Sequence, residues 1–254
     1  MSARPRVGLF ITCLVDLVRP EVGFAAVKLL EQSGCEVEVP RTQTCCGQPA
    51  WNAGSDGSAA AIARDVIAAF EIFDYVVAPS GSCAGMIKRH YPEVFEKDEV
   101  WLPRARALAA KTHELMSFLV HKRNLNKVPA AFGKSICYHD SCSSRREMGT
   151  VEEPRTLLSS VDGLSIKELS DPQICCGFGG LFSVKYPEIS ERMADDKIAD
   201  AVASGADALV GGDLGCLLHL AGRMRRQGQK LEVRHAAEIL ANMGETPALG
   251  ESGP

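Results

Sequence analysis

Two cysteine frameworks of the same order stand in the chain: Cys13, Cys45-Cys46-Gly47 and Cys83, then Cys142, Cys175-Cys176-Gly177 and Cys216. The intervals agree, with 31 and 36 intervening residues in the first set and 32 and 39 in the second. With 10 Cys and 23 Gly in 254 residues, a shuffled order would give about 0.03 Cys-Cys-Gly triplets. Two triplets at matched spacing therefore mark an internal repeat. Four thiolates per set suit a [4Fe–4S] cluster, one or two per chain. Tetrahedral zinc takes the same donors, and zinc in one half is the competing reading, although the chain lacks a pair of C-x2-4-C loops. Cys35 and Cys137 fall outside both sets and read as small buried hydrophobes.

Adjacent cysteines on an extended strand point to opposite faces, so Cys45-Cys46 and Cys175-Cys176 need a turn to serve one centre. Gly47 and Gly177 supply it through positive φ, and the second set continues as Gly177-Phe178-Gly179-Gly180. His139, three residues before Cys142, and His219, three after Cys216, stand where a ligand, a proton relay or a donor to a ligand would serve. A packed or surface histidine is the competing reading for each. Met86, three residues after Cys83, reads as core.

The rest of the composition narrows the class. A net charge of −4, from 28 Lys and Arg against 32 Asp and Glu, gives no drive toward nucleic acid or an anionic membrane. No run approaches the ~20 apolar residues of a membrane span, and Met1–Val7 lacks a signal-peptide pattern. A cytoplasmic, reducing setting is expected, where cysteine-rich spacing points to metal or redox chemistry rather than disulfides. Dinucleotide-fingerprint, nucleophile-elbow and ferredoxin-run motifs are all missing.

Short apolar runs must deliver these cysteines. Val7–Thr12, Val37–Val39 and Tyr75–Pro79 read as strands in the first half, and Ser135–His139, Leu164–Leu169 and Ala208–Gly211 in the second. Helical spacing covers Glu21–Gln32, Ala59–Ile72, Arg104–Arg123, Arg155–Ser160 and about Pro187–Ser204, with further helices expected just after Cys83 and Cys216. This alternation predicts an α/β fold of two pseudo-symmetric domains, each a mostly parallel sheet flanked by helices and carrying one framework. The expected domains are 1–126 and 127–244, with the boundary in the polar, Pro- and Gly-containing stretch 124–134, and a flexible tail over 245–254. Ligands of such sheets sit beyond the strands' carboxyl ends, where Cys13, Cys83, Cys142 and Cys216 fall.

The segments FITC at 10–13, CCGQPAWNAG at 45–54, SGSC at 80–83, HDSC at 139–142, CCGFGGLFSVK at 175–185 and GCLLHLAGRMRRQGQK at 215–230 resemble those of CCG cysteine-rich domain proteins. These include the cysteine-rich subunit of heterodisulfide reductase, the iron–sulfur subunits of glycolate oxidase and anaerobic glycerol-3-phosphate dehydrogenase, and, over nearly the whole chain, the LutA/YkgE family. The resemblance implies an iron–sulfur electron-transfer subunit of a cytoplasmic oxidoreductase converting L-lactate to pyruvate. Its implied partners are a LutB-like ferredoxin-type iron–sulfur protein and a LutC-like protein. Oxidation of another 2-hydroxyacid or of glycerol-3-phosphate, and a non-catalytic zinc-bound scaffold, are the alternatives. Heterodisulfide reductase relatives end each framework in C-x-x-C for a fifth thiolate. Met86 and His219 stand at those two positions here.

Overall fold

A computed structural model describes residues 4–251. Continuous apolar runs form the central strands: β1 (Arg6–Leu9), β3 (Tyr75–Ala78), β5 (Ser135–His139) and β7 (Ala208–Gly211). Such runs mark strands covered on both faces, as parallel sheets require. Shorter strands flank them: β2 (Glu36–Glu38), β4 (Thr112–Glu114), β6 (Ser165–Ile166) and β8 (Glu232–His235). They pair into two four-stranded sheets, ordered β2-β1-β3-β4 and β6-β5-β7-β8. Every pairing is parallel, with Gly8 opposite Val76 in one sheet and Cys137 opposite Leu209 in the other. The expected pair of pseudo-symmetric α/β domains is the observed fold.

The chain groups into two compact units. The first runs through Leu125 and includes Ser143–Thr150; the second comprises Asn126–Cys142 and the chain from Val151 onward. The changeover at 125/126 lies one residue from the expected boundary. Ser143–Thr150, expected in the second half, groups with the first unit, where its π-helical turn Ser144–Met148 packs on the helix Gly81–Gly85.

In the first unit the helix Pro20–Gln32 buries Val22, Ala25, Ala26, Leu29 and Leu30. This three- and four-residue spacing draws one apolar stripe along the helix. Ser33 and then Gly34, at φ 85°, end it. The helix Asp56–Phe70 contributes Ala63, Val66, Ile67 and Phe70 to a core shared with Phe10, Val76, Met86, Tyr91 and Phe95. Each large apolar side chain fully buried there contributes roughly 1.5–3 kcal/mol. Cys46 and Cys83 belong to the same core, so the first framework is anchored in that core. The second unit buries Leu209, Val210, Leu217, Leu220 and Ile198, and Cys176 and Cys216 are buried as well.

Three expectations need correction. The helix expected over Arg104–Arg123 is two helices, Trp101–Lys111 and Leu115–Arg123, separated by β4. Pairing of Val76 with Thr112, Val77 with His113 and Ala78 with Glu114 draws Thr112–Glu114 into the sheet. The helices at the last cysteine of each framework start before it, at Gly81 and Leu214, so that Cys83 and Cys216 lie in the first turn. Ser80 caps the earlier one by accepting the Cys83 N–H at 3.3 Å. The expected flexible tail packs over β8 as far as residue 251: Ala248 and Leu249 are buried, and the Leu249 N–H donates to the Val233 carbonyl at 2.9 Å. Residues 1–3 and 252–254, parts of the sequence-read terminus and tail, lie outside the described residues.

Candidate metal centres

In each sheet the two central strands are neighbours whose outgoing connections lead to different edge strands, which opens a crevice beyond their carboxyl ends. The first cysteine of each framework follows one central strand, and the last follows the other. Cys13 opens the helix Cys13–Val18 after β1, where Thr12 Oγ1 accepts the Val15 N–H at 3.3 Å. Cys83 follows β3, Cys142 follows β5 and Cys216 follows β7. The Cys-Cys turns come in from the loops after β2 and β6.

Gly47 at φ 85° and Gly177 at φ 81° make those turns. Each glycine N–H donates back to the sulfur two residues earlier, Cys45 or Cys175, at 3.4 Å. The Phe178 N–H donates to the Cys176 sulfur at 3.5 Å. A Cβ on Gly177 would collide with the Ser190 carbonyl oxygen, whereas one on Gly47 would meet Ile62 Cγ2 at 3.3 Å. The first turn is further held by the buried Tyr91, whose hydroxyl donates to the Cys46 carbonyl at 2.9 Å.

Thiol contacts run Cys13–Cys45–Cys46–Cys83 in the first unit, with the Cys13 and Cys45 sulfurs 3.9 Å apart. The second unit repeats the chain as Cys142–Cys175–Cys176–Cys216. All eight framework cysteines are thus gathered into two quartets. All ten cysteines are free thiols; Cys35 and Cys137 stand apart from the quartets and are buried. Cys46, Cys83, Cys176 and Cys216 are buried, while Cys13, Cys45, Cys142 and Cys175 are half-buried. Each quartet therefore has an inner and an outer pair. A cavity of about 310 Å³, lined among others by Ile11, Val39, Arg41 and Gln43, opens onto Cys13 and Cys45.

The electrostatics show what such a group needs. Hydrogen bonds from Cys13 and Cys46 hold the Cys45 thiol far below its usual range. The same contacts with Cys45, followed by burial, push Cys13 and Cys46 far up. Contacts with Cys142 and Cys176 hold Cys175 down in the same way, while Cys142 and Cys176 rise. For Cys216, contact with Cys176 pulls downward, but burial and the charge of Asp213 outweigh it. Charge on Cys45 or Cys175 opposes ionisation of the sulfurs it touches, a cation among them would relieve that opposition, and this donor set fits a thiophilic metal.

The surroundings of the second quartet include residues that no spacing rule singles out. Asp140, one residue from the end of β5, is held at two points by Arg155, at 3.0 and 2.9 Å, and Arg155 also grips Glu168. Lys197 is fully buried on the helix Pro187–Ala203 and donates to the Asp171 carbonyl at 3.0 Å. Burial lowers its pKa, opposed by Asp200, Asp171, Asp140 and Cys176. A helical position among alternating charges gave no sign of that burial. His139 lies with Cys176 and Cys216 so that their ligand atoms are all within 4.8 Å of one another. Burial, then the charge of Lys197, lowers its pKa to about 3, so the imidazole is neutral. His219, the other candidate histidine, faces Ser190 Oγ through Nε2 at 3.2 Å and lies against Phe178. Met86 is fully buried in the first unit's core.

A duplicated parallel α/β unit that draws a cysteine, a Cys-Cys-Gly turn and a further cysteine to one sheet edge defines a cysteine-rich domain protein. The family model described as "Cysteine-rich domain", CCG, matches residues 7–88 and 136–221. Lactate utilization protein A of Bacillus cytotoxicus is 48% identical over 92% of this chain and 98% of its own length. The protein of the same name from an Exiguobacterium species is 48% identical over 93% of this chain and 97% of its own. The chain belongs to the lactate utilization protein A family, within the CCG cysteine-rich domain proteins. Among solved structures, a hypothetical protein from Helicobacter pylori shares the fold, with a TM-score of 0.68 at 12% identity. That match covers 96% of this chain and 50% of the other, so the chain spans about half of that protein. Among the described residues no helix is long and apolar enough to cross a membrane.

Proposed function

We propose that the chain is an iron–sulfur electron-transfer subunit of a cytoplasmic complex that oxidises L-lactate to pyruvate. The observation that carries this reading is the gathering of four thiols in each unit beyond the carboxyl ends of its two central strands. Cys13, Cys45, Cys46 and Cys83 would hold one [4Fe–4S] cluster and Cys142, Cys175, Cys176 and Cys216 a second. A bound cluster supplies reversible one-electron transfer. The chain's own part is to exclude water from the inner sulfur pair and leave the outer pair near the surface, where a redox partner approaches. Leu17 and Val18 on the helix that Cys13 opens, and Val184, Tyr186 and Ile189 after the second Cys-Cys turn, are exposed apolar residues suited to docking. A LutB-like ferredoxin-type protein and a LutC-like protein are the proposed partners. The relatives' name supports lactate as the substrate.

A second reading has its own support. Thiolates around tetrahedral zinc stand roughly 3.8 Å apart, given a Zn–S length of ~2.3 Å, and Cys13 and Cys45 are 3.9 Å apart. Zinc in one unit with a cluster in the other would fit that spacing. Anaerobic purification followed by iron, acid-labile sulfide, zinc and EPR analysis decides between them. Iron and sulfide in equal amounts support the cluster, and their joint absence overturns it. A deletion strain that still grows normally on L-lactate, with no second lactate oxidiser present, would overturn the substrate.

A further inference from the structure

His139 ends β5 with 1% of its surface exposed, and neither ring nitrogen has a hydrogen-bond partner. Leaving a buried polar group unpaired is costly, and this ring leaves two. Other histidines of the same unit are used: His235 Nδ1 accepts the Ala237 N–H at 3.2 Å, and His219 Nε2 meets Ser190. The unpaired ring of His139 lies beside the sulfurs of Cys176 and Cys216.

The internal repeat shows that the fold does not need a histidine there. Phe10 stands three residues before Cys13 as His139 stands three before Cys142. Phe10 is fully buried in the first unit's core, 5.5 Å from Phe70 between ring centroids. A plain hydrophobe fills the position in one unit, so packing alone gives no reason for the imidazole in the other. A metal would satisfy a ring nitrogen that nothing else reaches, and imidazole is a common metal ligand.

We infer that His139 is a metal ligand, so that the second unit holds its metal through imidazole and thiolate together while the first unit uses thiolate alone. This rests on the reading of the cysteine quartets as metal centres and deepens it by making the two centres chemically unequal. The chemistry is that of a metal accepting both sulfur and nitrogen donors, satisfied by iron of a cluster or by zinc.

The test uses the full chain isolated anaerobically, with and without 15N-labelled histidine. If the second unit holds iron, electron–nuclear double resonance on its paramagnetic state is expected to show a nitrogen coupling that changes with the label. That coupling should vanish in His139→Phe, which copies the first unit, and persist in His219→Gln. If it holds zinc, X-ray absorption is expected to show a mixed nitrogen and sulfur shell that loses its nitrogen in His139→Phe. A metal-loaded wild type with no histidine coupling, or with an all-sulfur zinc shell, overturns the His139 assignment and leaves the quartets intact. Wild-type protein that binds neither metal overturns the quartet reading, and the assignment with it. The labelled wild type decides the matter even if His139→Phe fails to fold.

Discussion

The Arg155 guanidinium holds the Asp140 carboxylate at two points, and that carboxylate sits between His139 and Cys142 in the chain, so a salt bridge fixes the strand end that delivers both. Asp140 has 1% of its side chain exposed, and Arg155 has 17%. Removing one partner leaves the other charge buried, which costs about 3 kcal/mol or more. Arg155→Ala is therefore expected to lower stability by about that amount and to reduce metal content in the second unit while sparing the first. Urea unfolding and metal analysis check it. A variant with unchanged midpoint and full metal content would show that the pair positions nothing.

How far the sequence disclosed this arrangement depends on the kind of residue. β1, β3, β5 and β7 were readable because their apolar runs leave no alternative partner but a covered sheet. β4 and β8 were not, since Thr-His-Glu and Glu-Val-Arg-His carry no such run. Thr112 and Glu114 are buried by pairing with β3 and by local bonds, Thr112 Oγ1 to the Leu108 carbonyl and Glu114 to the Ser117 N–H. The quartets were readable as repeated spacing. His139 could not be told from His219, because a ring's burial and the serine facing it are tertiary facts. Lys197 gave no signal at all, since burial of a helical lysine depends on what packs over it.

The two turn glycines share a left-handed conformation but not their surroundings. At both, a side chain would cost about 1–2 kcal/mol in backbone strain. Gly177→Ala would also drive a Cβ into the Ser190 carbonyl, whereas the nearest atom to a Cβ in Gly47→Ala is Ile62 Cγ2 at 3.3 Å. Overpacking of that kind adds roughly 1–3 kcal/mol. Gly177→Ala is expected to be the more damaging substitution, by stability and by metal content. Equal losses in urea denaturation would contradict the close approach at Ser190.

His113 on β4 supplies a pH dependence of a group outside the cysteine quartets. It packs against Tyr75 and Phe118, at 5.8 and 5.7 Å between ring centroids. Burial, then the charges of Lys88 and Lys122, lowers its pKa from 6.5 to about 4. Between those values the unfolded chain takes up a proton that the folded chain refuses, so stability falls as pH drops through that window and levels below it. His113→Phe removes the group while keeping the aromatic cluster. The stability difference between wild type and variant is expected to shift against the wild type as pH falls from about 7 to about 4.5. A constant difference across that range would refute the assignment.

The cysteines outside the frameworks supply the sharpest control on the ligand assignment. Cys137 lies fully buried on β5, its sulfur facing the Ala201 carbonyl, and Cys35 is buried beside Ser33. Neither contacts a quartet, so each acts as a small apolar filler. Cys137→Ala removes one buried atom and should cost about 1 kcal/mol, with metal content at the wild-type level; Cys35→Ala should behave alike. Cys46→Ser and Cys176→Ser should each strip the metal from their own unit, because a hydroxyl is a poor donor to a thiophilic ion. Metal content per chain, measured anaerobically for the four variants side by side, separates the two groups. Loss of metal from Cys137→Ala in a protein that still folds would mean that β5 presents its sulfur to the centre, and that the second quartet has been drawn with the wrong members.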